Sequence, residues 1–228
     1  MPKIKMMAAA SSLAVALAVG CMLAATAAQA TLPTPEWQIK GSKLTKNIPF
    51  EVKGTVGEFK VGSLTLTWTS AWGEGQVEAP NKIANFFLKF GGAKIGSCEV
   101  HSPGGKAGEV NTKQLKGRLG YINEKAPLVG VLIESAEGSA GTIVEVEKSA
   151  CDPNSMVLSG GTIGEYTPIN APRSLFEASF SVSNKIVKFE GEATEHILHL
   201  NGSSGTTVLF GCVESLSIKE GVEVEIKT

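Results

Sequence analysis

Residues 63–69, SLTLTWT, place Leu64, Leu66 and Trp68 on one side of an extended chain and Thr65, Thr67 and Thr69 on the other. Successive side chains of a strand point to opposite faces, so this run predicts a strand with one dry face and one wet face. The pattern recurs in GTIVEVEK at 141–148, where Val144 and Val146 oppose Glu145 and Glu147. It recurs again in GVEVEIKT at 221–228, where Val222, Val224 and Ile226 oppose Glu223, Glu225 and Lys227. IANFFLKF (83–90), PLVGVLIES (127–135) and TTVLFGCV (206–213) are more continuously apolar and predict central strands covered on both sides. Gly91-Gly92, Gly104-Gly105, Gly160-Gly161, Asn201-Gly202 and Asp152-Pro153-Asn154 punctuate these runs as turns. No helical period is sustained beyond two turns, and the glycines follow no fixed repeat. The expectation is an all-β chain: a mostly antiparallel sandwich or flattened barrel formed by one domain over 31–228.

Residues 1–30 read differently. Lys3 and Lys5 precede the apolar run AAASSLAVALAVGCMLAATAA, which ends at Ala28-Gln29-Ala30. A positive start, an apolar middle and a small-residue exit are the marks of a secretion signal, here a signal helix with cleavage expected after Ala30. The run is long enough to cross a bilayer, so an uncleaved anchor is the alternative. Cys21 stands near a lipid-acceptor position, but Ala18 occupies the place of a larger aliphatic and the apolar run continues past the cysteine. Once the signal is removed, no stable membrane span is expected.

The signal takes two lysines and no acid from a chain of 21 basic and 22 acidic residues, leaving 19 against 22. Arg118 and Arg173 are the only arginines, so the basic stripe of a nucleic-acid surface is missing and no nucleic-acid partner is expected. Asp152 is the only aspartate. A calcium loop, an aspartic dyad or a Ser-His-Asp set would each have to recruit that one side chain or a glutamate.

Cys98 and Cys151 each stand beside a turn of an exported chain, which suits a disulfide. Cys212 is the odd cysteine, set among apolar neighbours, and reads as a buried free thiol; intermolecular pairing or exchange for Cys98 are the alternatives. His101 beside Ser102 raises the question of acid–base work, but reads as a solvated turn. His196 and His199 in TEHILHL suggest a metal pair; on the strand that the Thr, Ile and Leu content favours they point to opposite faces and cannot share an ion, whereas on a helix they would be neighbours. Trp68 continues the dry face of its strand. Trp37, Trp72 and Tyr121 complete the set from which a sugar-stacking platform could be assembled, and Trp72, among glycines, is its best ligand candidate. The pairs Glu145/Glu147 and Glu223/Glu225 lie on single strand faces, where acids keep edges soluble. No cofactor or metal site is expected.

Taken in order, SCEVHSPGGKAGEVNTKQLKGRLGY (97–121), PLVGVLIESAEG (127–138), SACDPN (149–154) and GGTIGEYTPIN (160–170) resemble a group of uncharacterised secreted actinobacterial proteins. Those proteins share a signal peptide, a cysteine followed by a V-x-S-P turn, a G-x-I/V-x-T-x-x-L segment, a second cysteine and a G-x-I-x-G-x-x-T-P-x-N corner. A further cysteine pair of the group is missing here, with Trp68 in its strand and Gly91-Gly92-Ala93 in its turn. The resemblance implies location outside the cytoplasm and a β architecture, and supplies no catalytic residue. The functional expectation is a non-catalytic structural or binding module of the cell envelope or extracellular space, with cell-wall or polysaccharide contact in view. The alternative is a secreted hydrolase of polysaccharide or peptide that works through glutamates.

Overall fold

The computed structural model describes residues 32–147, 155–201, 206–219 and 221–228. In chain order the strands begin with β1 (Glu36–Ile39), β2 (Ser42–Lys43), β3 (Ile48–Gly54), β4 (Gly57–Val61), β5 (Leu64–Trp68) and β6 (Ser70–Glu78). They continue with β7 (Lys82–Gly91), β8 (Lys94–Ile95), β9 (Cys98–Glu99), β10 (Glu109–Asn111), β11 (Leu115–Asn123) and β12 (Leu128–Ser135). The last are β13 (Thr142–Val146), β14 (Met156–Thr167), β15 (Leu175–Phe180), β16 (Leu198–Leu200), β17 (Thr207–Ile218) and β18 (Glu225–Lys227). No helix forms among the described residues, and none there is long and apolar enough to cross a membrane.

Eight strands close into an antiparallel barrel. Its order is β3-β6-β7-β11-β12-β14-β15-β17, with β17 returning to β3. The described residues are therefore all-β and antiparallel, and the barrel is the member of the expected pair that forms. Closure leaves no free edge in the barrel wall.

β14 and β17 are long enough to leave the barrel and enter a second array. The first half of β14 pairs with β13 on one edge and β16 on the other, while the first half of β17 pairs with β16 and β4, the latter followed by β5, β8 and β9. This array curls until the segment after β9 meets β13, where the Glu147 N–H donates to the His101 carbonyl at 2.9 Å. Gly160-Gly161 is thus no turn. It is the pivot at which β14 changes partners, from Leu198 opposite Gly160 to Glu134 opposite Gly161. Gly160 holds φ at +105°, and a Cβ there would fall on the Ile197 carbonyl oxygen, so only glycine fits.

The two continuously apolar runs now assigned to β7 and β17 are not covered on both faces. β17 alternates, with Val208, Phe210, Cys212, Glu214, Leu216 and Ile218 buried and Val213 exposed. A barrel strand needs only its inner face dry. β12 is covered on both faces, as expected, because the segment 181–197 lies over it from outside: Phe189 packs on Leu132 and Ile163, and its ring rests on Gly120. Within TEHILHL only Leu198–Leu200 are strand.

One end of the barrel is capped by the small sheet β18-β1-β2. Its Trp37 is fully buried and meets Tyr166 and Phe176 edge-on, at 5.9 and 5.8 Å between ring centroids. Glu225, expected on a wet face, is buried there opposite Gln38, with Lys227 3.7 Å from its carboxylate. The described residues from Leu32 onward cluster as one unit.

Candidate functional site

Between the Trp37 cap and the junction with the second array, the barrel encloses a cavity of about 40 Å³. Its wall combines the aromatic residues Phe50, Phe86, Tyr166, Phe180 and Phe210 with a larger number of aliphatic side chains, among them Val131, Ile133 and Leu216. The Glu214 side chain also lines this space, while its carboxyl oxygens are covered from it.

Glu214 is 5% exposed, and neither carboxyl oxygen has a hydrogen-bond partner among the described residues. Its position follows from the register. Glu214 sits in phase with the inward apolar residues of β17, opposite Gly54 of β3, and a Cβ at Gly54 would collide with the carboxyl. The glycine is the seat on which the acid lies. Burial pushes the Glu214 carboxyl up to about 7, against a smaller opposing pull from the Cys212 thiol. Cys212 is the buried free thiol expected from sequence, and burial, then the neighbouring carboxyl, push its pKa well above the ordinary value. The Tyr166 hydroxyl also has no partner among the described residues, and burial raises its pKa. Among the described residues, no other acid and no base lines the cavity.

Sequence reading missed Glu214 and Tyr166. The signal was present: an acid at the apolar phase of an alternating run, two positions from Cys212 and two from Leu216. Reading 206–213 as covered on both sides removed the phase that would have exposed it.

The expected sites are dispersed. Cys98 is not a free thiol, while Cys151 lies outside the described residues, as do Cys21 and the cleavage site at Ala30. His101 is partly exposed, with Nδ1 3.5 Å from the Glu147 carboxylate. Ser102, read as a surface neighbour of that histidine, is instead buried. Its hydroxyl donates towards Glu145 O at 2.9 Å and Asn111 O at 3.2 Å and accepts the Asn111 N–H at 2.9 Å, tying β10 to β13. Ser102→Ala is expected to lower stability by about 2 kcal/mol in urea unfolding, because it strands a buried N–H. His101→Ala is expected to change it by no more than about 0.5 kcal/mol. Equal losses for the two variants would contradict this assignment.

His196 and His199 do not converge. His196 is buried beside Glu192 (3.3 Å), which is held by Arg118 at 2.7 Å, and the guanidinium stacks 4.8 Å above Phe189. Arg118 first, and His196 after it, hold the Glu192 carboxyl below its usual range. His199 lies on β16 opposite Ser159. No cluster able to hold a metal ion occurs among the described residues. Trp37, Trp68 and Tyr121 are core residues, so the four-residue sugar platform is not assembled. Trp72 alone of the four is exposed, at 40%, with Phe87 edge-on against it at 5.4 Å. Glu145 and Glu147 pair with Lys113 and His101 at the surface.

No protein-family model matches the chain, and no curated protein or solved structure matches it either.

Proposed function

We propose that the protein is an exported, non-catalytic binding module whose barrel holds a small molecule against Glu214. One observation carries the reading: a closed barrel surrounds a small apolar cavity, and beside it lies a buried carboxyl, that of Glu214, with no hydrogen-bond partner among the described residues. Buried polar groups in folded proteins are otherwise paired, and an unpaired one invites a ligand. Eight strands give an interior that side chains nearly fill, with room for one small ligand. Export is supported by the leader 1–30, and a Cys98–Cys151 disulfide belongs to the same reading. The exposed Trp72–Phe87 pair is the part of the surface suited to cell-wall or polysaccharide contact.

Native mass spectrometry of the secreted protein tests the binding reading. The expected result is an added small mass that is lost in Glu214→Leu while the fold, followed by circular dichroism, persists. A parent protein with no added mass, and with no response to any small solute in thermal melts, would overturn it. N-terminal sequencing should begin at Thr31, and non-reducing peptide mapping should join Cys98 to Cys151. A chain starting at Cys21 or retaining Met1 would overturn soluble export.

The second reading, a secreted hydrolase of polysaccharide or peptide, draws its support from Glu214 as an acid whose pKa is suited to proton transfer. A glycosidase needs a second carboxyl facing the first, and none lines this cavity among the described residues. Turnover of a polysaccharide or peptide that disappears in Glu214→Gln would favour it.

A further inference from the structure

Resting on the polysaccharide contact proposed above, and independent of the barrel cavity, we infer that the outer face of β6 and β7 binds an uncharged, extended glycan chain, with one sugar ring stacked on Trp72 and hydroxyls taken by neighbouring amides. The aromatic part of this face is set by a bulge. Between the pairs Glu74–Phe87 and Gln76–Ala84, β6 advances two residues and β7 three; against β11, between Leu115–Phe86 and Gly117–Ile83, β7 gains one residue in the same way. The extra residue lies at Asn85, whose φ is +49°. A regular strand that buries Ile83 would bury Phe87 as well. The bulge shifts the phase instead: Phe86 is buried, and Phe87 joins Trp72 on the outside, 5.4 Å between ring centroids.

The same bulge presents a chain of exposed amides. Gln114 Nε2 donates to Asn85 Oδ1 at 3.1 Å, and Asn85 Nδ2 and Asn47 Nδ2 donate to Gln76 Oε1 at 3.5 and 3.3 Å. Each amide carries both donors and acceptors, as a sugar hydroxyl does. From Trp72 to Gln76 along β6 is about 14 Å, the length of about three pyranose rings in an extended chain. The charges beside the aromatic pair balance. Lys53 and Lys89 flank Trp72 across the sheet and Glu74 stands opposite Phe87; Lys89 holds Glu109 at 2.8 Å, and Lys219 holds Glu51 at 3.0 Å and Glu74 at 3.8 Å. Three lysines thus offset three glutamates, so neither a polyanion nor a polycation meets a field of opposite sign. A protein partner asks for a broad apolar patch, whereas Trp72 is the only exposed large hydrophobic residue of β3, β6 and β7. Aromatic carbon, amides and paired charges together suit a polyol with flat C–H faces, which is what an uncharged sugar chain offers.

Tryptophan fluorescence reads this face without a variant. The chain has three tryptophans, and Trp37 and Trp68 are buried, so quenching by acrylamide reports Trp72. Cellohexaose or chitohexaose, both uncharged, is expected to shield Trp72 from acrylamide, while hexagalacturonate, an anionic chain of the same length, leaves it open to quenching. In titration calorimetry the neutral chain that shields should bind roughly 10-fold less tightly to Trp72→Ala, which loses the stacked ring. Gln114→Ala should weaken it about 3-fold through one lost hydrogen bond. Unchanged affinity in both variants would put the glycan elsewhere and overturn the inference. Shielding by hexagalacturonate equal to or beyond that by the neutral chains would overturn it and leave polysaccharide contact standing. No shielding by any of the three would overturn both, and the mass-spectrometric test of the barrel is independent of either result.

Discussion

Replacing Glu214 by glutamine raises the thermal midpoint at pH 8 by roughly 6–12 °C and leaves it unchanged at pH 4. The folded protein holds this carboxyl at about 7, above the 4.5 of an unperturbed glutamate. A group whose folded value is raised binds its proton more tightly in the folded state. Stability is therefore greatest below about pH 4.5, falls as pH rises towards 7, and levels off above. The two plateaus differ by about 3 kcal/mol, since every tenfold gain in proton affinity on folding is worth about 1.4 kcal/mol. For a chain of this size, 1 kcal/mol moves the midpoint by roughly 2–4 °C. Glutamine stays neutral at every pH and mimics the protonated acid. Melts of parent and variant from pH 4 to pH 8 check this, since the difference between the curves isolates Glu214 from every other titrating group. Curves that stay parallel throughout would show that the carboxyl is solvated.

Trp68→Ala is expected to cost about 3–5 kcal/mol, whereas Trp68→Phe should cost no more than about 1 kcal/mol. The indole is 1% exposed, its ring lies across the Cα of Gly57, and Phe90, Phe59 and Phe210 surround it at centroid distances of 4.4, 5.1 and 5.9 Å. Alanine would leave a void that backbone pairing on both sides prevents from closing. Phenylalanine keeps most of the ring volume. It also removes the indole N–H, which is buried with no hydrogen-bond partner among the described residues, and that partly offsets the lost volume. Chemical unfolding of both variants decides the matter. Near-equal losses would contradict the assignment of the cost to lost ring volume.

How much of this was legible in the sequence depends on the distance over which each feature is decided. The strand at SLTLTWT is local: Leu66 and Trp68 are buried and Thr67 is exposed, because a pleated chain with one dry face has no other way to arrange them. Barrel closure is not local. It rests on β17 meeting β3, with Glu214 opposite Gly54, and nothing in either segment names its partner. The role of Gly160-Gly161 was hidden for a related reason. A glycine pair marks both a turn and a strand that changes neighbours, and only the position of the Ile197 carbonyl distinguishes them. Ser102 was misjudged because a serine after a histidine and before a proline fits a surface turn equally well. Its burial follows from β13 and β10 converging on it from opposite sides.

β17 belongs to both rings of strands: it joins β15 to β3 in the barrel and β16 to β4 in the outer array. Among the described strands longer than three residues it comes last in chain order. As the chain emerges from its N-terminus, β3 to β16 can form hairpins and ribbons, but each ring keeps an open seam until the residues of β17 arrive. Native enclosure therefore waits for β17, and both rings complete together.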